Sequence, residues 1–410
     1  MLYINLTLGD SALANRQPWH PTGGPNINLF YGENGRLPPQ VPVSWDDMLT
    51  GRRPRGHIMP KPISEQKVVI VGASSGIGRA AALEFARRGA AVAVAARTVS
   101  ALDSLVEEIT AQGGIALAVP TDVAEPDQVR ALGERAESAF GRIDTWVNAA
   151  AVAVWGRIED ISDAEFERVM RVNFLGQVYG VHVALPALRR AGGGVIIGIS
   201  SVEGIRAVPL HGPYTASKWA LRALYDSLRM ELAQEGSPIG VTTILPASID
   251  TPFFEHSRSK IGSMPKPPPP LYAPELVAEA IVQAAERPTR EVPVGGSAIG
   301  FYLGQRVSPA LTDAVMSIRR LGKETMTTDR PDNGSDNVDA PMEGLGQVHG
   351  NHSGHVLRHS VITSLLARTP RPGELLTSVV NRLHSTGSGN GPDRAQPGSA
   401  SGQSSAVRTE

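Results

Sequence analysis

The feature that most constrains this 410-residue sequence is an alternation of short apolar runs with amphipathic stretches between Val68 and about residue 245. Val68-Val69-Ile70-Val71 ends at Gly72, and a helical pattern through Ile77, Ala81, Leu83, Phe85 and Ala86 stops at Gly89. Ala91-Val92-Ala93-Val94-Ala95-Ala96 is apolar again. An amphipathic stretch with Leu102, Leu105, Val106 and Ile109 follows, then a third apolar run from Ile115 to Val119. The same spacing predicts helix 126–140, strand 143–147, helix 163–190, strand 194–199, helix 214–234 and strand 239–245. The runs are apolar at every position rather than every second one, so both sheet faces must be covered. Strand–helix alternation then requires right-handed crossovers and a doubly wound, parallel α/β sheet. In such a sheet the ligand crevice lies at the carboxyl ends of the strands, so functional residues are expected just after them.

The flanks read differently. Gly (43) and Pro (32) are abundant for one compact domain, and many lie outside the periodic region. Residues 1–62 form an irregular extension, with one helical turn predicted behind Ser44. Residues 63–322 form the folded domain. Residues 323–410, rich in Ser, Gly, Asp, Asn and His, read as a mostly disordered extension with one or two short helices. Val356–Leu366 and Leu375–Leu383 are amphipathic patterns expected to dock on the domain or a partner, with a membrane surface as the weaker reading. His349, His352, His355 and His359 are interrupted by Gly350 and Gly354, which favours a solvated loop over a metal-binding helix face.

Composition narrows the function classes. There is no cysteine, so a disulfide scaffold, a thiolate nucleophile and Cys-ligated metal are excluded. A formal charge of −1 gives no global attraction to nucleic acid. No run reaches the length of a membrane span. Ala12-Leu13-Ala14 mimics a cleavage site, but no basic residue precedes it and Asp10 breaks the apolar stretch, so a cytoplasmic protein is expected.

Gly72-Ala73-Ser74-Ser75-Gly76-Ile77-Gly78 sits between the first strand and the first helix. That context suits a dinucleotide: glycines permit a tight turn and close backbone approach, and the helix presents free N–H groups to the diphosphate. A merely tight turn is the bland alternative. The second strand ends at Ala96-Arg97. Ala96 offers no acceptor for a ribose 2′-hydroxyl, and Arg97 suits a 2′-phosphate, so NADP is favoured, with NAD possible. Asp122, after the third strand, is a candidate for the adenine amino group or else a helix cap.

Tyr214 and Lys218 lie four apart in a predicted helix and share a face. Hydride transfer to or from an alcohol needs a group that moves the hydroxyl proton, and a neighbouring ammonium favours phenolate. The pair carries weight because the chain has seven Tyr and six Lys, and Lys218 is the only Lys between Lys67 and Lys260. Ser201 follows the 194–199 strand, thirteen residues before Tyr214, where a hydroxyl can hold a substrate carbonyl. Asn173, beside the apolar face of helix 163–190, reads as a buried hydrogen-bonding group or a relay member.

Together these residues resemble the short-chain dehydrogenase/reductase family, over residues 65 to about 320. The resemblance implies a Rossmann-like domain in which Gly72, Ser74, Ser75, Gly76, Ile77 and Gly78 bind NAD(P), with Arg97, Asp122, Asn148, Tyr214, Lys218 and Thr251 as further cofactor contacts. It implies a tetrad of Asn173, Ser201, Tyr214 and Lys218. Tyr214 would be the acid/base, Lys218 would hold ribose hydroxyls and depress the Tyr pKa, Ser201 would orient substrate, and Asn173 would support a water-linked relay. Pro246–Thr251 resembles the segment that embraces the nicotinamide. Residues 252–272, with Phe253, Phe254 and Pro267–Pro270, correspond to a substrate lid, which suggests an apolar substrate. Homo-oligomers, formed through the helices holding Asn173 and Tyr214, are a further implication. The sequence departs from the family pattern at Val71, at Asn148-Ala149-Ala150-Ala151 and at Ala247. The competing class is a dinucleotide-binding sensor or scaffold; a sugar-nucleotide epimerase would need a larger C-terminal substrate domain.

Overall fold

The computed structural model describes residues 60–317, 326–342, 346–352 and 354–359. The chain begins its domain with β1 (Lys67–Val71), α1 (Gly76–Arg87), β2 (Ala91–Ala96), α2 (Val99–Ala111) and β3 (Ile115–Pro120). Next come α3 (Pro126–Phe140), β4 (Thr145–Asn148), α4 (Asp163–Met170), α5 (Gly176–Arg190) and β5 (Gly194–Ile199). Then follow α6 (Gly212–Gln234), β6 (Ile239–Pro246), α7 (Pro274–Glu286), β7 (Glu291–Val294), α8 (Gly296–Val307) and α9 (Pro309–Ser317).

The seven strands form one parallel sheet in the order β7-β6-β5-β4-β1-β2-β3. Strand order reverses between β1 and β4, and that switch point opens the ligand crevice. The continuous apolar runs have the predicted cause. Val68, Ile70, Val92 and Val94 face one core with Phe85, Leu102, Leu105 and Ile281. Val69, Val71, Ala93 and Ala95 face the other with Leu132, Leu188, Leu221 and Tyr225. Each strand thus serves two cores through its period of two.

Helix 163–190 is not one regular helix. Its start is fixed by a capping box, in which Ser162 Oγ accepts from the Glu165 N–H and the Glu165 carboxylate accepts from the Ser162 N–H. After α4 the chain widens into a π turn, Arg171–Leu175, before α5 resumes. Such single wide turns re-aim one side chain and gather at functional sites. Asn173 lies in this one.

The C-terminal segment departs from the sequence expectation. Two short stretches of its described residues pair with the domain as strands, and the rest is turns and coil. Thr327–Pro331 runs antiparallel to Ser263–Pro265, and Val356–Leu357 runs parallel to Leu271–Tyr272. Val338 between them is fully buried in the second core. Its apolar anchors, Val338, Val348 and Val356-Leu357, are too sparse to make a period. The helical turn expected behind Ser44, the amphipathic pattern Leu375–Leu383 and the low-complexity end lie outside the described residues.

Candidate functional site

The glycine turn after β1 is built by close packing. At Gly72, φ is +87°, and a Cβ would stand 2.4 Å from the Ala150 nitrogen in the loop after β4. At Gly78 a Cβ would stand 2.1 Å from the Gly72 carbonyl oxygen. These two glycines let α1 press onto the turn and the turn press onto the β4 loop, across the switch point. The N–H groups of Ile77 and Gly78 have no acceptor among the described residues, and the Gly76 N–H donates to the Gln347 carbonyl at 2.9 Å. Two helix N-terminal donors are therefore open to an anion.

A cavity of about 860 Å³ runs from this turn to Tyr214. Gly72, Ser74, Ser75, Gly76, Ile77, Gly78, Arg97, Asp122, Ser201, Tyr214, Lys218 and Thr251 all line it. Its far end is apolar, with Trp155, Val208, Phe253, Phe254 and Phe301. Asn148 does not reach it. That amide is buried, accepting from Trp146 Nε1 at 2.8 Å and donating to the Tyr225 hydroxyl at 3.2 Å, so it braces the sheet behind the wall.

Asn173 also stands behind the wall. Its Oδ1 accepts from the Val152 N–H at 2.8 Å, and its Nδ2 donates to the Val152 carbonyl at 2.9 Å and to Ser217 Oγ at 3.1 Å. Ser217 in turn donates to the Tyr214 carbonyl at 2.6 Å. The amide thus ties the loop after β4 to the turn of α6 that carries Tyr214. The Asn173 side chain is thus a clamp between these two segments, the buried hydrogen-bonding group of its two sequence alternatives.

Tyr214 and Lys218 do share a face, with Nζ 5.2 Å from the phenol ring centre. Nζ donates to the Ile199 carbonyl at 3.0 Å. Burial pulls the Lys218 ammonium down to about 7, while Glu203 acts in the opposite sense. Burial pushes the Tyr214 phenol well above its ordinary value, Glu203 adds to that, and the hydrogen bond with the Ser201 hydroxyl opposes it. Burial is the largest influence on the phenol, and it holds the group in its acid form at neutral pH.

The Tyr214 ring is one of three stacked rings. It lies 4.3 Å from the His211 ring at 8°, and His211 lies 3.8 Å from Trp155 at 15°. His211 Nδ1 contacts the Glu203 carboxylate at 3.0 Å, Thr215 Oγ1 donates to the same group at 2.8 Å, and the Glu203 N–H donates to Ser201 Oγ at 3.1 Å. Glu203 therefore links the loop of Ser201 to the helix start of Tyr214.

At the other end of the cavity, Arg97 Nη1 donates to the Asp339 carbonyl at 3.3 Å and Nη2 donates to that of Asn337. Asp122 is not the cap of α3, whose N-cap is Glu125. Its carboxylate accepts from the Ala124 N–H at 2.9 Å and pairs with Arg168 at 3.1 Å.

The family profile described as short chain dehydrogenase matches residues 66–262. An uncharacterized oxidoreductase of Bacillus subtilis, YxnA, is 38% identical over 275 residues, which is 67% of this chain and 77% of that protein. The chain belongs to the short-chain dehydrogenase family. An uncharacterized oxidoreductase of Listeria monocytogenes, Lmo0432, is 37% identical over 198 residues, covering 48% of this chain and 80% of its own length. A short-chain dehydrogenase/reductase from Burkholderia phymatum, solved in complex with NAD, superposes with a TM-score of 0.56 at 26% identity, covering 62% of this chain and 96% of that one. This short-chain dehydrogenase has no helix, among the described residues, long and apolar enough to cross a membrane.

Sequence reasoning missed Glu203, His211 and Trp155. The signals available were that Glu203 follows Ser201 by two residues and His211 precedes Tyr214 by three. Neither spacing announces a ring stack.

Lys218 carries a testable pH signature. Its folded value, about 7, lies below the ordinary lysine value. The unfolded chain therefore binds more protons between the two values, so this group makes stability rise with pH from about 7 toward 10. Lys218→Met should flatten that rise in melting temperature between pH 7 and 9. Parallel wild-type and variant curves would show that the ammonium is not desolvated.

Proposed function

We propose that this oxidoreductase interconverts an alcohol and a carbonyl, using a nicotinamide dinucleotide with NADP preferred. The observation that carries the reading is the single cavity joining two open N–H donors at Ile77 and Gly78 to Ser201, Tyr214 and Lys218. The fit of the dinucleotide rests on those donors, on Gly76, where a Cβ would stand 3.1 Å from the Thr251 side chain, and on the NAD complex of the similar Burkholderia enzyme. When bound, the dinucleotide supplies or accepts the hydride.

This chain's residues do the rest. Ser201 Oγ holds the substrate oxygen. Tyr214 gives its phenolic proton to that oxygen in the reducing direction and takes it back in the oxidising one. Burial keeps the phenol protonated at neutral pH, which is the form that the reducing direction starts from. Lys218, tied to Ile199, stands beside the phenol ring to return the proton. Asn173 acts through position, holding the Val152 loop against α6. Trp155, Phe253, Phe254 and Phe301 exclude water around an apolar substrate.

The NADP preference rests on Ala96, which has no acceptor to offer, and on the Arg97 guanidinium. Arg97→Ala should lower the ratio of NADPH to NADH affinity by roughly 10-fold or more, since it removes a charge-assisted hydrogen bond. Fluorescence titration of both cofactors measures the ratio, and an unchanged ratio would remove Arg97 from recognition. A homo-oligomer is also proposed, supported by half-exposed Leu175 and Trp219 and by exposed Met230 along the π turn and α6. Light scattering decides it.

A further inference from the structure

The described C-terminal residues cross the whole crevice in order. Past Thr327–Pro331, Asp336 and Asp339 pair with Arg258 at 2.8 and 2.7 Å. The Asn337 N–H donates to the His256 carbonyl at 3.0 Å, and the Val338 carbonyl accepts from Arg168 Nε at 2.9 Å. The carbonyls of Asn337 and Asp339 receive Arg97, and that of Met342 receives Thr98 Oγ1 at 3.2 Å, both just after β2. The Gln347 carbonyl then meets the Gly76 N–H at the glycine turn. His349 bridges Asp250 at 3.0 Å and Glu275 at 2.8 Å, and His352 Nε2 reaches the Thr251 carbonyl at 3.1 Å. Val356–Leu357 closes the path on Leu271–Tyr272.

The contacts fall, in sequence, at the end of β2, at the helix N-terminus and at the segment after β6. Those are the places where the adenosine, diphosphate and nicotinamide parts of a dinucleotide would lie in the crevice proposed above. The segment borders the cavity instead of filling it: Asn337, Pro341 and Met342 are part of the lining, opposite Arg97 and Asp122. It also lies wholly outside the matched family region, 66–262.

We propose that residues 337–342 and 346–352 are part of the dinucleotide site, a strap that walls in the adenosine half of the cofactor, orients Arg97 toward it and must lift for exchange. This rests on the cofactor reading above. Free energy spent on the strap's ion pairs and on burying Val338 resists that lifting, so the strap acts on the rate of release more than on the rate of the chemical step.

The test uses full-length protein and two variants that leave the catalytic groups untouched. Asp336→Asn/Asp339→Asn removes the Arg258 pairs, and Val338→Glu places a charge in the core position that seats the strap. Stopped-flow release of NADPH and of NADH, chased with excess oxidised cofactor, should accelerate about 10-fold or more in either variant. Hydrogen exchange of wild-type peptides spanning 326–359 should slow when NADPH is added, which decides the matter even if a variant fails to fold. Release rates within about twofold of wild type, in a variant whose strap amides exchange freely, would overturn the proposal. So would strap exchange that is indifferent to cofactor. Wild-type protein binding neither dinucleotide would sink the cofactor reading itself, which is a different result from binding with unaltered release.

Discussion

Tyr214→Phe is expected to cut turnover by roughly 10²- to 10⁴-fold, the span that a positioned general acid or base contributes. The variant keeps the ring. Its stack on His211 and its tilted contact with Phe253 therefore persist, with ring centres at 4.3 and 5.3 Å in the parent. What disappears is one oxygen, the Ser201 hydrogen bond and the transferable proton. Dinucleotide affinity should stay close to that of the parent, because no step of binding depends on that proton. The split matters: a loss confined to kcat, with cofactor titration unchanged, marks an interaction made in the transition state. Near-normal turnover on an identified carbonyl substrate would remove Tyr214 from the chemistry. It would also revive the non-catalytic sensor, which needs the glycine turn but not the phenol.

Gly72→Ala should be the most damaging small change to the fold at the site. The residue sits at φ +87°, where a β-carbon costs roughly 1–2 kcal/mol. The new carbon would also stand 2.4 Å from the Ala150 nitrogen, and the neighbours there are backbone atoms that cannot rotate away. Overpacking of that kind typically costs a further 1–3 kcal/mol. A drop in melting temperature of several degrees is expected, on the order of 2–4 °C per kcal/mol for a domain of this size. Loss of dinucleotide binding should accompany it, since any relief moves the turn away from the β4 loop. A Gly113→Ala control isolates the strain, because φ there is +80° but nothing lies within 4 Å. If the two variants lose equal stability, close approach at Gly72 is not what the glycine provides.

Much of the fold was legible because the sheet is covered on both sides. Every residue of Val68–Val71 must be apolar when odd and even positions enter different cores, and the regular return of such runs between amphipathic stretches marks them as strands. The alternation that predicts strands and helices ends at 245, however, and α7 and β7 lie beyond it. The latter is four residues long at the sheet edge and contains Pro293, which hides a strand from any propensity argument. The site was half legible. Residues placed directly after strands, such as Gly72, Arg97, Ser201 and Thr251, do line the cavity, because topology alone puts them there. Asn148, expected from the resemblance to touch the cofactor, and Asn173, whose alternatives were a buried hydrogen-bonding group and a relay member, both spend their amides on neighbours in the wall. The π turn that aims Asn173 at Val152 leaves no mark in an amphipathic pattern. Glu203, His211 and the strap escaped for another reason: their meaning lies in contacts between distant segments, and Arg97 meets Asn337 across 240 residues.

That last separation bears on how the protein is made. Val338 is a core residue by burial, as enclosed as Val69 or Leu132. Domains form as units while chains emerge N-terminus first. Here the second core stays unsealed until translation has passed residue 338, and the crevice edge stays unclosed until Val356 and Leu357 have emerged. For the interval in which the nascent chain holds a finished sheet but no strap, the glycine turn is open to solvent along its whole length. A cofactor arriving in that window would meet no strap, and the segment from 337 to 357, emerging later, would close over it.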